Sequence, residues 1–520
     1  MDKVTILWAD DEIDLLKPHL LFLKEKGYDV TTTTNGNDAL EQVTKKSFDI
    51  IFLDENMPGM SGLETLAHIK NIKSEIPVVM ITKSEEESIM EDAIGSKISD
   101  YLIKPVNPNQ ILLSIKKNLE NKRLISEKTS SNYQQEFRAL GTMLNEPLNH
   151  SGWAELYKKI IHWELELEEA KDEGMYETLT YQKNEANNLF CRYIENNYLR
   201  WLREPDNNAP VMSHTLFKKK IMPVVTVSQK PCFVILIDNL RFDQWKVIQP
   251  VIGEHFRIKS EETFYSILPT ATQFARNAIF AGLMPKLIEE RFPDKWESDD
   301  SENESGKNLH EEFFLADQLK RLHFEQKFSY SKIVSHKDNT DLAERIMNLL
   351  DNKLNVIVVN FVDMLSHART EMDMIRELAD NEAAYRSLTL SWFSHSPLLE
   401  ALIRLAEKDI DLIITTDHGT IRVKEPSKII SERTTNTNLR YKHGRALTPI
   451  AKDVFLVRNP DEAFLPKEYL NDKFAFAKHD KFFVYPNNYN QFVNFYRNTL
   501  QHGGVSLEEM IIPFIHLENK

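Results

Sequence analysis

The chain has 520 residues, 42% hydrophobic and 28% charged, an ordinary globular balance. A single hydrophobic core does not serve a chain of that length, so two or three domains are expected. The net charge of −15 and a cysteine content of only Cys191 and Cys232 argue against a basic duplex-DNA binder, a disulfide scaffold and a cysteine-rich zinc module. Met1-Asp2-Lys3 precedes an apolar run, Val4 to Trp8, that is too short for a signal segment or a membrane span. No other uninterrupted apolar run approaches the ~20 residues a span needs, so a soluble cytoplasmic protein without membrane insertion is expected.

Residues 1–120 alternate short apolar runs with amphipathic stretches. Strands are predicted at Val4–Ala9, Asp29–Thr34, Ile50–Asp54, Pro77–Thr82 and Tyr101–Ile103. Strand–helix alternation predicts a doubly wound, five-stranded parallel sheet, with ligands beyond the carboxyl ends of its strands. Asp10, Asp11 and Glu12 follow the first strand, Asp54 ends the third, Thr82 ends the fourth, and Lys104 follows the fifth. Converging carboxylates call for a cation, and Mg²⁺ favours oxygen ligands while leaving positions open for phosphate. Asp54 is then the nucleophile for a phosphoryl group, with Lys104 supplying positive charge and Thr82 a hydroxyl.

This pattern resembles the response-regulator receiver family, a flavodoxin-like fold. The resemblance implies that Asp10 and Asp11 are the acidic Mg²⁺ pair, that Asp54 is the phosphorylation site, and that Asn56 offers a backbone carbonyl to the metal. It further implies that Thr82 and Lys104 are the signalling pair, Tyr101 the switch aromatic, and a sensor histidine kinase the phosphodonor. Met57-Pro-Gly-Met-Ser-Gly62 matches the family's turn. Lys83 departs from it, because a small residue is usual there, and is expected to slow phosphoryl access or loss.

From Asn109 to about Leu140 there is no proline, and Ile111, Leu112, Ile115 and Leu119 fall at helical spacing, which predicts one long connector helix. Residues 121–210 are expected to form a helical bundle. Trp153, Leu156, Ile160, Trp163 and Leu167 make one face, and Phe190, Tyr193, Ile194 and Trp201 another. The segment 204–210 reads as a linker, and the acidic stretch Glu297 to Gly306 as an exposed insertion.

Over residues 211–520 the α/β pattern returns, with buried strands predicted at Cys232–Ile237, Val356–Phe361 and Leu412–Thr416. Five elements stand at strand ends or glycine-marked turns: Asp238, the turn Pro269 to Gln273, Asp363 to His367, Asp417-His418-Gly419, and His502-Gly-Gly. Three aspartates and three histidines at one rim have the donors for two ions, and mixed oxygen and imidazole ligands suit Zn²⁺ or Mn²⁺. Two metals ~4 Å apart clamp the attacking and leaving oxygens of a phosphoryl transfer. A hydroxyl at a helix N-terminus is well placed to attack phosphate.

The order of these elements resembles the alkaline phosphatase superfamily, and within it the PglZ domain. That resemblance implies one metal on Asp238, Thr272, Asp417 and His418, and another on Asp363, His367 and His502. The family's ten-residue spacing to a helix-ending glycine, here Gly282, makes Thr272 rather than Thr270 the nucleophile. A threonine there points to phosphodiesterase rather than monoesterase chemistry. Arg276, one turn beyond, either binds a phosphate oxygen or makes a surface salt bridge. The basic cluster Lys442-His443-Gly444-Arg445 either lines a substrate groove or is a solvated loop.

A receiver, a helical middle and a PglZ-type hydrolase in one chain resemble response regulators with a PglZ output, a class associated with gliding motility and type IX secretion. The resemblance implies homodimerisation on phosphorylation and hydrolysis of cyclic or linear oligonucleotides. The competing expectation is a scaffold that binds a sigma factor or secretion component without catalysis. No helix-turn-helix pattern or basic recognition helix is present, so sequence-specific duplex DNA binding is not expected.

Overall fold

The computed structural model describes residues 3–73, 76–83, 98–204, 208–297, 308–334, 336–365, 379, 381–430 and 438–520. The chain forms two compact units, Met1–Gln134 with Glu169–Asp172, and Gln135–Glu168 with Glu173–Lys520.

In the first unit the elements run β1 (Thr5–Ala9), α1 (Lys17–Glu25), β2 (Asp29–Thr33), α2 (Gly36–Lys45), β3 (Ile50–Asp54), α3 (Gly62–Ile72), β4 (Val78–Thr82), β5 (Asp100–Ile103) and α4 (Pro108–Asn145). The strands form one parallel sheet in the order β2-β1-β3-β4-β5. Both faces are buried, which is why the strands read as unbroken apolar runs. Ile6 and Trp8 pack with Ile50, Phe52, Ile111 and Ile115 on one side, while Leu7 and Ala9 pack with Ile51, Leu53, Val43 and Leu66 on the other. Asn35 caps α2, and the Ser61–Glu64 capping box starts α3. Gly62 is required at that start, because a Cβ there would lie 2.4 Å from the carbonyl oxygen of Asp54.

α4 is the long connector helix and continues into the second unit. There α5 (His150–Ala170) and α6 (Glu173–Arg203) follow. The aromatic faces of this helical connector also reach residues of the α/β region that follows, Tyr265 at a strand end and Phe242 at the start of a helix. Phe190 and Trp201 lie 6.2 and 5.7 Å from Tyr265, and Tyr157 lies 6.3 Å from Phe242, between ring centroids.

The main sheet of that region has six strands: β6 (Cys232–Ile237), β7 (Phe256–Tyr265), β8 (Phe328–Ile333), β9 (Leu354–Val359), β10 (Asp411–Thr415) and the C-terminal strand Ile511–Asn519. Their order is β7, the C-terminal strand, β10, β6, β9, β8. β10, β6, β9 and β8 are parallel, while the C-terminal strand runs antiparallel to β10 and β7. β9 ends two residues earlier than the sequence suggests, because Phe361 opens a helical turn, 361–365, that carries Asp363. The acidic stretch beyond Glu297 and residues 205–207 of the linker lie outside the described residues.

Candidate phosphoacceptor and metal centres

In the first unit, the strand ends bring Asp10, Asp11 and Asp54 together, each offering a carboxylate oxygen within 4.8 Å of the others. Lys104 Nζ lies 2.9 Å from Asp10 and 3.0 Å from Asp54. Burial, opposed by the hydrogen bond from Lys104 and reinforced by the charge of Asp10, pushes the Asp54 carboxyl up to about 6. Three carboxylates around one point form an oxygen-donor set that fits Mg²⁺. Asn56 is exposed two residues beyond Asp54. Thr82 is buried at the end of β4, and Tyr101 packs against the core face of Leu7 and Leu53. Lys83 reaches across to Glu12 at 3.0 Å.

In the second unit, the parallel strands β6 and β10 end side by side and deliver Asp238, Asp417 and His418, all buried. Their donor atoms lie within 4.8 Å of one another. Asp417 Oδ2 is buried without a hydrogen bond, and burial together with the charge of Asp238 pushes the Asp417 carboxyl up to about 7. Two carboxylates and an imidazole, with one buried oxygen left unbonded, fit a divalent transition-metal ion. Thr272 opens the helix Thr272–Ala281, which ends at Gly282 with φ +58°. Its Oγ1 is 3.0 Å from His418 Nε2 and 3.5 Å from Asp238 Oδ1.

Beside this set, His502 Nε2 lies 3.8 Å from Asp363 Oδ1, and His502 Nδ1 is 3.1 Å from the carbonyl of Thr270. His367, expected to complete this group, lies outside the described residues. The two threonines separate in role. Thr270 is fully buried, its hydroxyl donating to Gly504 O at 2.9 Å and accepting from Gly503 N at 3.0 Å.

Two expectations change. Arg276 is neither at the surface nor turned toward solvent: its guanidinium is 1% exposed and held by Asp238 at 2.7 Å and Glu311 at 2.5 Å. Such a group offsets the charge of the buried Asp238 carboxylate. The Lys442 cluster is a strand, Tyr441–Gly444, rather than a loop. Its side chains therefore scatter: Lys442 covers Tyr485, His443 stacks on Phe474 at 5.1 Å, and Arg445 covers Tyr469.

Sequence reasoning missed Asn239 and Glu311. Asn239 adopts a left-handed backbone (φ 64°), and its Nδ2 donates to Asp363 Oδ1 at 3.2 Å. Asparagine directly after Asp238 was the available signal, because it tolerates that conformation. Nothing local marked Glu311.

The profile described as the BREX system PglZ alkaline phosphatase-like domain matches residues 216–517. The chain belongs to the PglZ family. The response regulator receiver domain matches residues 6–116, and the PorX response regulator linker domain matches residues 123–202. Together they match a PorX-like response regulator with a PglZ output. Among curated proteins, the transcriptional regulatory protein ZraR of Klebsiella oxytoca is 33% identical over 140 residues, 27% of this chain and 32% of that one. ResD of Bacillus subtilis (strain 168) is 29% identical over 115 residues, 22% of this chain and 48% of that one. The PglZ-family chain thus spans about a third to a half of the length of these relatives. Among solved structures, a CheY-like receiver from Methanospirillum hungatei JF-1 shares 24% identity over 23% of this chain and 96% of that one, with a TM-score of 0.23. CheY4 of Vibrio cholerae shares 28% over 23% and 100%, with a TM-score of 0.22. Among the described residues, no helix is long and apolar enough to cross a membrane.

Proposed function

We propose that this PglZ-family response regulator is a cytoplasmic, metal-dependent phosphodiesterase controlled by phosphorylation of Asp54. The observation that carries the reading is the meeting of Asp238, Asp417 and His418 within 4.8 Å, with the Thr272 hydroxyl 3.0 Å from His418 at a helix N-terminus. Asp238, Asp417, His418 and Thr272 would hold one Zn²⁺ or Mn²⁺, and Asp363, His367 and His502 the other. Bound there, the ions supply charge stabilisation on phosphoryl oxygens and a lowered hydroxyl pKa.

The Thr272 hydroxyl gives up its proton and attacks phosphorus, one P–O ester bond breaks and its oxygen leaves as the protonated alcohol, and water then hydrolyses the phosphothreonine to a phosphomonoester and free Thr272, with the backbone amides of the helix N-terminus facing the phosphate. Arg276 and Glu311 hold Asp238 in place. The substrate is a cyclic or linear oligonucleotide, and the physiological output is control of type IX secretion and gliding motility, with a sigma factor or secretion component as a further partner. In the receiver, Asp10, Asp11, Asp54 and Asn56 would hold Mg²⁺. A sensor histidine kinase supplies the phosphoryl group. Thr82, Lys104 and Tyr101 relay its arrival, homodimerisation follows, and α4 transmits the change.

The test is metal content together with bis-p-nitrophenyl phosphate hydrolysis, wild type against Thr272→Val. Two zinc ions per chain and activity lost in the variant uphold the reading. No metal and no difference between the two proteins leave a receiver-controlled binding scaffold instead.

A further inference from the structure

Asn187 belongs to α6, one of the middle helices, yet both ends of its side-chain amide are used on the segment after His502, at the start of the short helix Leu507–Met510. Its Oδ1 accepts from Leu507 N at 2.8 Å, and its Nδ2 donates to Glu508 Oε2 at 2.9 Å. Asn187 is 1% exposed, so neither bond has water as a substitute. One turn on either side, the same stripe of α6 adds Lys183, whose Nζ is 3.3 Å from Glu508 Oε1, and Cys191, whose thiol donates to Val505 O at 3.2 Å.

From the other side, Glu509 accepts from Gly504 N at 2.9 Å and Ser506 Oγ at 2.6 Å while paired with the buried Arg440 at 2.6 Å. Thr270 holds Gly503 and Gly504 through its hydroxyl and meets His502 Nδ1 with its carbonyl. The loop is therefore clamped between α6 and a buried carboxylate, and His502 lies at its mouth.

We propose that Asn187 is a positioning residue for His502: the middle helix fixes the 505–508 backbone and thereby the imidazole that completes the second metal position beside Asp363. The inference rests on the reading of His502 as a metal ligand. Hydrogen-bond partners behind a ligand hold its ring in place, and their loss typically costs ~10–100-fold in metal affinity. An amide is the side chain that suits both partners. Aspartate would keep the acceptor for Leu507 N but set a second carboxylate oxygen against Glu508. Moving the amide to position 508, as in Asn187→Asp with Glu508→Gln, restores the bracket with the donor reversed and leaves the net charge unchanged.

The experiment titrates metal-stripped full-length chain with Zn²⁺ by calorimetry, with circular dichroism and Tm as a check on folding. His502→Ala identifies the binding step that belongs to the second position. Asn187→Asp is expected to weaken that step by ~10-fold or more while leaving the other step within about threefold, and the double variant recovers it. Equal weakening of both steps, an unchanged second step with a lowered Tm, or failure of the double variant to recover would each overturn the inference. Wild-type protein that binds no Zn²⁺ removes the metal reading and this inference with it. Two normal steps in Asn187→Asp remove the inference alone. If Asn187→Asp does not fold, Asn187→Ala, which removes both bonds, carries the test: folded with only the second step weakened it upholds the inference, folded with that step unchanged it overturns it.

Discussion

His418 and His502 lie ring on ring, with centroids 4.3 Å apart and planes 19° from parallel. One follows β10 and the other follows the short strand Leu500–Gln501 near the end of the chain. Their outer nitrogens part company, His418 Nε2 toward Thr272 and His502 Nε2 toward Asp363. Neighbouring imidazoles arranged in this way can serve two adjacent ions. A ring nitrogen binds metal only after giving up its proton, so zinc uptake is expected to weaken as the solution is acidified. Titration of chelator-stripped protein at about pH 8 and about pH 5.5 checks this, and equal uptake at both would count against the imidazole ligands.

Gly419 follows His418 where no side chain fits. A Cβ there would lie 2.0 Å from the carbonyl oxygen of Glu508, a backbone atom that has little room to yield. Gly419→Ala is expected to destabilise the fold by about 2 kcal/mol or more and to lower bound zinc. Urea unfolding and metal analysis measure the two effects. A stable variant with full metal content would mean that the two loops are not held together as described.

Arg386 is 1% exposed and is shared between Glu164 at 3.0 Å and Asp243 at 2.9 Å. Replacing it with methionine keeps most of the volume but leaves buried carboxylates short of a cation. The expected loss is about 3–5 kcal/mol, because breaking one partner of a buried ion pair costs far more than the pair itself contributes. The surface pair of Lys45 with Glu41 is the control, and Lys45→Ala should change stability by less than about 1 kcal/mol.

Lys83 and Glu12 join the loops after β4 and β1 at 3.0 Å, beside the phosphoacceptor. The bridge is exposed and weak in itself, and it joins the loop that follows Asp10 and Asp11 to the one that follows Thr82. Lys83→Ala is expected to shorten the lifetime of the acyl phosphate by a few-fold, on the order of 1 kcal/mol in barrier at most. The decay of label after phosphorylation by acetyl phosphate gives the rate. An unchanged or longer lifetime would remove Lys83 from any gating role.

Much of the site was legible because its groups are local to strand ends. Asp54, Asp238 and Asp417 each follow a buried apolar run, and a parallel sheet aligns such ends at one rim. The receiver sheet was likewise readable, since two-sided burial writes itself as continuous hydrophobic runs in Ile50–Asp54 and Val78–Thr82.

The sequence by itself thus determined the element types and pointed to the candidate phosphoacceptor and most candidate metal donors, because each is a property of a few neighbouring residues. Tertiary structure alone decided that Arg276 lies beneath Asp238, that Thr270 supports the 503–504 backbone while Thr272 faces His418, and that α6 grips the loop after His502. Those relationships join residues far apart in the chain. They follow from which charges and backbone groups are buried together, and a buried polar group takes whatever partner the packing brings within hydrogen-bond distance.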